Sequence, residues 1–149
     1  MSDAPFRSDA LARLPHGRDF RFIDEVTELI PGQSATATYT IRGDEPFLAA
    51  HFPDRPMLPG VVLIEAIAQL GGVVAQCDPN HQELDDLRLA AVRQAKINGT
   101  AVPHDTISID AKIDGRMGPL IQVSGKVTRG NDVIAVAQVT LSGTATSNE

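Results

Sequence analysis

The feature that most constrains the fold is the apolar run from Val61 to Cys77, VVLIEAIAQLGGVVAQC, entered through Leu58-Pro59-Gly60 and closed by Asp78-Pro79-Asn80. Its apolar residues fall on every face of a helical period, which predicts a helix buried all round, in a core or in a membrane. Glu65, Gln69 and Gln76 interrupt the run, and it is short for a membrane span. The reading is therefore a core helix that carries one acidic residue, Glu65. A carboxylate in such a place is costly unless it is paired or protonated. Upstream, in the Pro-rich stretch HFPDRPMLPG that feeds the helix N-terminus, stands His51. An acid, a base and a helix N-terminus thus share one short segment.

The rest of the composition bounds what that segment can serve. A chain of 149 residues reads as one domain over 1–149, with a core from about 8 to 142 and a polar tail. The hydrophobic share of 42% supports a real core, mostly aliphatic because aromatic residues make up 4%. A net charge of -6 argues against nucleic acid or an anionic membrane surface as partner. The single cysteine, Cys77, excludes an intrachain disulfide and is read as a packed, inert thiol. Asp3, Arg7, Asp9 and Arg13 leave no apolar signal region near the N-terminus, so the expected location is cytoplasmic.

Around the helix the chain reads as strands. Ser8-Asp9 can cap a short helix to Leu14, ended by Pro15. Phe20, Phe22, Ile23 and Val26 approach a first strand, and Pro31-Gly32 turns the chain. Ser34 to Ile41 alternates, with Ala35, Ala37, Tyr39 and Ile41 on one face, as a half-buried strand does. A loop through Glu45-Pro46-Phe47 leads to His51. After the helix, residues 78–86 read as loop. Leu87 to Ile97 follows as a strand whose Arg88, Arg93 and Lys96 alternate poorly. Strands about Ile107–Ile113, Ile121–Val127 and Val133–Leu141 complete the set, with Gly115 to Gly118 as a hairpin connection and a frayed tail from Ser142. Short connections favour antiparallel neighbours. The fold class is α+β: a curved antiparallel sheet wrapped around one long buried helix, the layout of a hot-dog fold.

HFPDRPMLPGVVLIEAIAQ resembles the signature of the 3-hydroxyacyl-[acyl-carrier-protein] dehydratases of fatty-acid synthesis, of the (3R)-hydroxymyristoyl type. The matching residues are His51-Phe52-Pro53, Pro56-x-x-Pro59-Gly60 and Glu65-Ala66-x-Ala68-Gln69. Leu14-Pro15-His16 with Phe20 and Asp24, and Val102-Pro103 with Asp105, are similar to further pieces of that family. The resemblance implies a hydro-lyase with His51 and Glu65 as catalytic pair and with no cofactor or metal. Its implied partner is an acyl carrier protein bearing the substrate. It also implies a homodimer, or a trimer of such dimers, in which His51 of one chain meets Glu65 of the other. Ala50 stands where the family has glycine, Leu87-Arg88 where it has an aromatic gate, and Lys96-Ile97-Asn98-Gly99 where it has a basic segment. These departures suggest a specialised relative.

The residue types suit the chemistry. Dehydration of a 3-hydroxyacyl thioester needs a base for the proton beside the carbonyl, and His51, of a type that titrates near ~6.5, fits it. The departing hydroxyl needs an acid, and Glu65, on a helix whose apolar surroundings disfavour charge, fits that role. The N–H groups of Gly60 and Val61, at the helix start, can meet the thioester oxygen. Gly60 lets a substrate approach the backbone. Gln69, one turn beyond Glu65, either orients the site or satisfies a buried polar group. Two other functions fit the same chain: an acyl-CoA thioesterase of the same fold, and a non-catalytic partner subunit. His16, His81 and His104 are read as structural or solvated.

Overall fold

The computed structural model describes residues 17, 20–51 and 54–145, with backbone alone at 49–51. The short helix expected from Ser8 to Leu14, and His16, lie outside the described residues. In chain order the elements are β1 (Glu25–Ile30), β2 (Ser34–Thr40), α1 (Pro46–His51), α2 (Gly60–Gln76), β3 (Leu84–Ile97), β4 (Thr106–Met117), β5 (Leu120–Arg129) and β6 (Asp132–Ala145). The strands form one antiparallel sheet in the order β1-β2-β4-β5-β6-β3.

Alternation builds the inner face of that sheet. Ala35, Ala37 and Tyr39 of β2 stand opposite Ala111, Ile109 and Ile107 of β4, and all six are buried. Ile121, Val123 and Val127 of β5 and Ala135, Ala137, Val139 and Leu141 of β6 continue the layer. Helix α2 packs on this face and touches β2, β3, β4, β5 and β6. Side chains that branch at Cβ suit the pleated surface and leave little room for the helix to shift. The turn between β1 and β2 clamps the far end of α2: the N–H of Gly32 donates to the carbonyl of Val74 at 3.0 Å. Gly32 holds φ +75° there, a conformation that favours glycine.

Several elements differ from the sequence reading. Helix α2 is not buried all round: Val61 is 70% exposed, and Ile64, Glu65, Gly72 and Gln76 are half-buried. They form one stripe along the helix, flanked by β3. Periodicity cannot distinguish a stripe covered by the same chain from one left open to another. The stretch before His51 is a short helix rather than a loop. Pro46 takes its first position, where a missing N–H costs nothing, and the Leu48 N–H closes on the Glu45 carbonyl at 3.0 Å. Gly115 lies inside β4 at a register shift, and the hairpin turns instead at Gly118-Pro119, with Gly118 at φ +57°. Cys77 caps α2 instead of lying inside it.

Strand β3 begins at Leu84, where the Gln76 side chain accepts from the Leu84 N–H and donates to its carbonyl at 3.0 and 2.7 Å. Three register shifts against β6 interrupt it. Asp86 and Gln94 sit at positive φ within two of them. Each bulge resets the two-residue alternation, which is why Arg88, Arg93 and Lys96 read poorly. Strand β6 runs past Ser142 to Ala145, paired with the start of β3. Between β3 and β4, residues 98–105 cross the end of the sheet. Ala101 accepts from the Leu58 N–H at 2.8 Å, and Asp105 accepts from Ile41 at 3.0 Å. This crossing fixes where α2 starts.

Candidate active site

The start of α2 has no side-chain cap, since its N-cap is Pro59. The Val62 N–H turns back to the Pro59 carbonyl at 2.9 Å. Gly60 and Val61 are the opening residues of the helix, where N–H groups lack acceptors within the helix and carry its positive end. Gly60 is close to β3: a Cβ there would stand 2.8 Å from Cδ1 of Ile97. The missing side chain lets the end of β3 approach the helix start, a need the sequence reading assigned to a substrate.

Glu65 and Gln69 are stacked one turn apart and bonded. The Gln69 Nε2 donates to Glu65 Oε2 at 3.0 Å and to the Phe20 carbonyl at 2.8 Å. Its Oε1 accepts from the Phe22 N–H at 2.9 Å. With 2% exposure, Gln69 uses both amide hydrogens and its oxygen. The Phe22 donor and the Phe20 acceptor fix which way the amide faces. Gln69 is thus a satisfied buried polar group that also contacts Glu65. Glu65 itself is half-buried in this chain, not enclosed as the sequence reading had it. Its Oε2 accepts from Gln69, which ties the carboxyl to the buried amide.

His51 ends α1, and its side chain lies outside the described residues, as do Phe52 and Pro53. The start of α1 is held by Glu45, which the sequence reading passed over as loop. Glu45 is 2% exposed. Its carboxylate accepts from the Tyr39 hydroxyl at 2.5 Å, from Arg42 N–H at 3.0 Å and from Gly43 N–H at 2.7 Å. Burial pushes its pKa up, but these three donors outweigh burial and the carboxyl lies below its ordinary value. Burial, with Glu45 beside it, holds the Tyr39 phenol well above its own.

Phe22 joins the segment that carries Glu65 to the segment that carries His51. Its N–H meets Gln69 on α2, and its ring sits edge-on to Phe47 of α1 at 5.6 Å and to Tyr39 at 5.9 Å. The available sequence signal was the single inward tyrosine, Tyr39, whose hydroxyl had to find a partner.

A family model described as the FabA-like domain matches residues 14–138. Over 135 residues the chain is 34% identical to the 3-hydroxyacyl-[acyl-carrier-protein] dehydratase FabZ of Xylella fastidiosa (strain M12), covering 89% of this chain and 84% of that one. Among solved structures, the dehydratase heterocomplex ApeI:P from Xenorhabdus doucetiae superposes with a TM-score of 0.77 at 17% identity, covering 94% of this chain and 91% of that one. Zebra fish thioesterase superfamily member 2 superposes with a TM-score of 0.67 at 12% identity, covering 94% of this chain and 96% of that one. These two structures speak for the hot-dog fold alone.

Proposed function

The chain belongs to the FabA-like family, and from that premise we propose that His51 and Glu65 form the catalytic pair of a 3-hydroxyacyl-[acyl-carrier-protein] dehydratase. The activity is that of a hydro-lyase in fatty-acid synthesis. His51 takes the proton from the carbon beside the thioester carbonyl. Glu65 gives a proton to the 3-hydroxyl, the carbon–oxygen bond breaks, and water leaves a 2-enoyl thioester. The N–H groups of Gly60 and Val61 face the thioester oxygen as negative charge builds on it. Gln69 keeps the Glu65 carboxyl in one orientation. The observation that carries this reading is the bond from Gln69 to Glu65 Oε2, which ties the proposed acid to a buried amide one turn along the helix.

The partner is an acyl carrier protein, and the exposed Arg55, Arg93 and Lys96 supply positive charge for it on a chain of net charge -6. We place the protein in the cytoplasm with that carrier. Among the described residues no helix is long and apolar enough to cross a membrane. The second copy of a homodimer belongs on the free edge of β3, whether dimers stand alone or three together. Val92 and Ile97 there are 46% and 45% exposed, next to Val61. His51→Ala and Glu65→Gln are each expected to lower kcat/KM for dehydration of a carrier-linked 3-hydroxyacyl chain by about 10²–10⁴. Near-wild-type turnover in either folded variant removes that residue from the pair.

A further inference from the structure

Helix α1 has six residues, too few to be stable alone. Its place is set by what grips it. The apolar grip is Leu48, 2% exposed, and Phe47 against Phe22. The polar grip is Glu45 at its head, where a hydroxyl from β2 and two backbone N–H groups converge on one carboxylate. The Glu45 carbonyl also takes the first N–H that closes within the helix, from Leu48. Three donors around one group require a partner that only accepts, and an ionised carboxylate is that partner. An amide of the same shape would turn N–H groups toward at least one of these donors.

We propose that Glu45 is a positioning residue for the dehydration: it fixes the head of α1 and, through that helix, the place of His51 at its end. The proposal deepens the preceding reading and rests on His51 being the base. Glu45 is 2% exposed and its carboxylate is taken up by three protein donors, so it acts through α1. A purely structural role would lower stability and leave turnover per folded molecule unchanged, and the test separates the two.

The full-length chain carrying Glu45→Gln is assayed for kcat and KM on a carrier-linked 3-hydroxyacyl chain. Its ring-labelled histidines are followed by NMR, with the His51 signals identified by their loss in His51→Ala. The expected result is a fall in kcat of about tenfold or more, because small misplacements of a reacting group are costly, with KM within about twofold. The His51 ring signals move and those of His81, at the opposite end of α2, stay. Tyr39→Phe removes one donor of three, keeps the carboxylate, and is expected to lower kcat by about twofold to fivefold. It decides the matter should Glu45→Gln fail to fold. A folded Glu45→Gln, or failing that Tyr39→Phe, with wild-type kcat and unmoved His51 signals overturns the proposal. Full activity in His51→Ala instead refutes the base assignment, and the movement of the His51 signals in Glu45→Gln still measures the positioning.

Discussion

Gln69 has no amide hydrogen to spare, and its oxygen holds the buried Phe22 N–H, which sets what its loss should do. Gln69→Leu keeps the volume but strands the buried Phe22 N–H and removes the bonds to the Phe20 carbonyl and to Glu65. Leaving buried polar groups unpaired is expected to cost about 2–3 kcal/mol in denaturant unfolding. The freed Glu65 should slow turnover as well, with the drop in kcat persisting where the variant is fully folded. Asp78 offers a pH test. The Asn80 N–H draws its pKa down, burial opposes, and His81 and Arg116 reinforce the lowering. A carboxyl held below its unfolded value stabilises the fold above that value, near ~4, and the contribution fades as pH falls through the folded pKa. The Tm gap between wild type and Asp78→Asn should therefore be widest near neutral pH and shrink in acid; a gap that is flat with pH would deny the effect. His51, Glu65 and Gln69 are legible as candidates in the sequence because their types sit in one contiguous motif. Phe22 is not, because its partner Gln69 lies 47 residues along the chain, nor is Glu45, because its three donors converge only once β2 and the bend after it have formed.

The two neighbouring glycines of α2 show how packing overrides propensity within an element. A Cβ at Gly71 would meet both methyls of Val123 at 2.8 Å, whereas one at Gly72 would meet Leu87 at 3.4 Å, an ordinary contact. Replacing glycine by alanine in a helix gains up to about 1 kcal/mol, and overpacking a stiff β-branched neighbour costs about 1–3 kcal/mol. Gly71→Ala is thus expected to destabilise and Gly72→Ala to stabilise, so the midpoints of unfolding should move in opposite directions. Two shifts of the same sign would mean that the seam on β5 yields. The elements themselves were legible where alternation ran unbroken, as from Ser34 to Thr40 and from Thr106 to Ile113. They were not legible in β3, whose bulges reset the pattern, nor in α1, where Pro46 looked like a breaker and is a helix start. The pairing of β3 with β6 rather than β4 leaves no local trace, because it is decided by which inner faces α2 covers.

At the scale of the whole molecule, the open stripe of α2 and the bare edge of β3 occur at the same end, since Gly60 lies beside Ile97. The homodimer proposed at this edge makes the composition of its sites testable. Chains bearing His51→Ala are unfolded and reassociated with chains bearing Glu65→Gln. If each site takes His51 from one chain and Glu65 from the other, a mixed dimer collects both defects in one site and restores the second. About half the dimers are mixed under two-fold symmetry, so roughly a quarter of the sites should revive. No revival, where wild-type chains reassociate well, would mean that both residues come from one subunit.

The seating of α1 also has an optical side. The chain contains no tryptophan and a single tyrosine. That residue, Tyr39, has 0% exposure, and its hydroxyl rests on the Glu45 carboxylate at 2.5 Å. A phenol bound so closely to a carboxylate loses its excited state to the acceptor before it can emit. The folded protein is therefore expected to be nearly dark in tyrosine fluorescence, and to brighten once the Glu45 contact opens. The molecule carries its own lamp at the head of α1. Without any label, that lamp can be watched while substrate, carrier or denaturant is added.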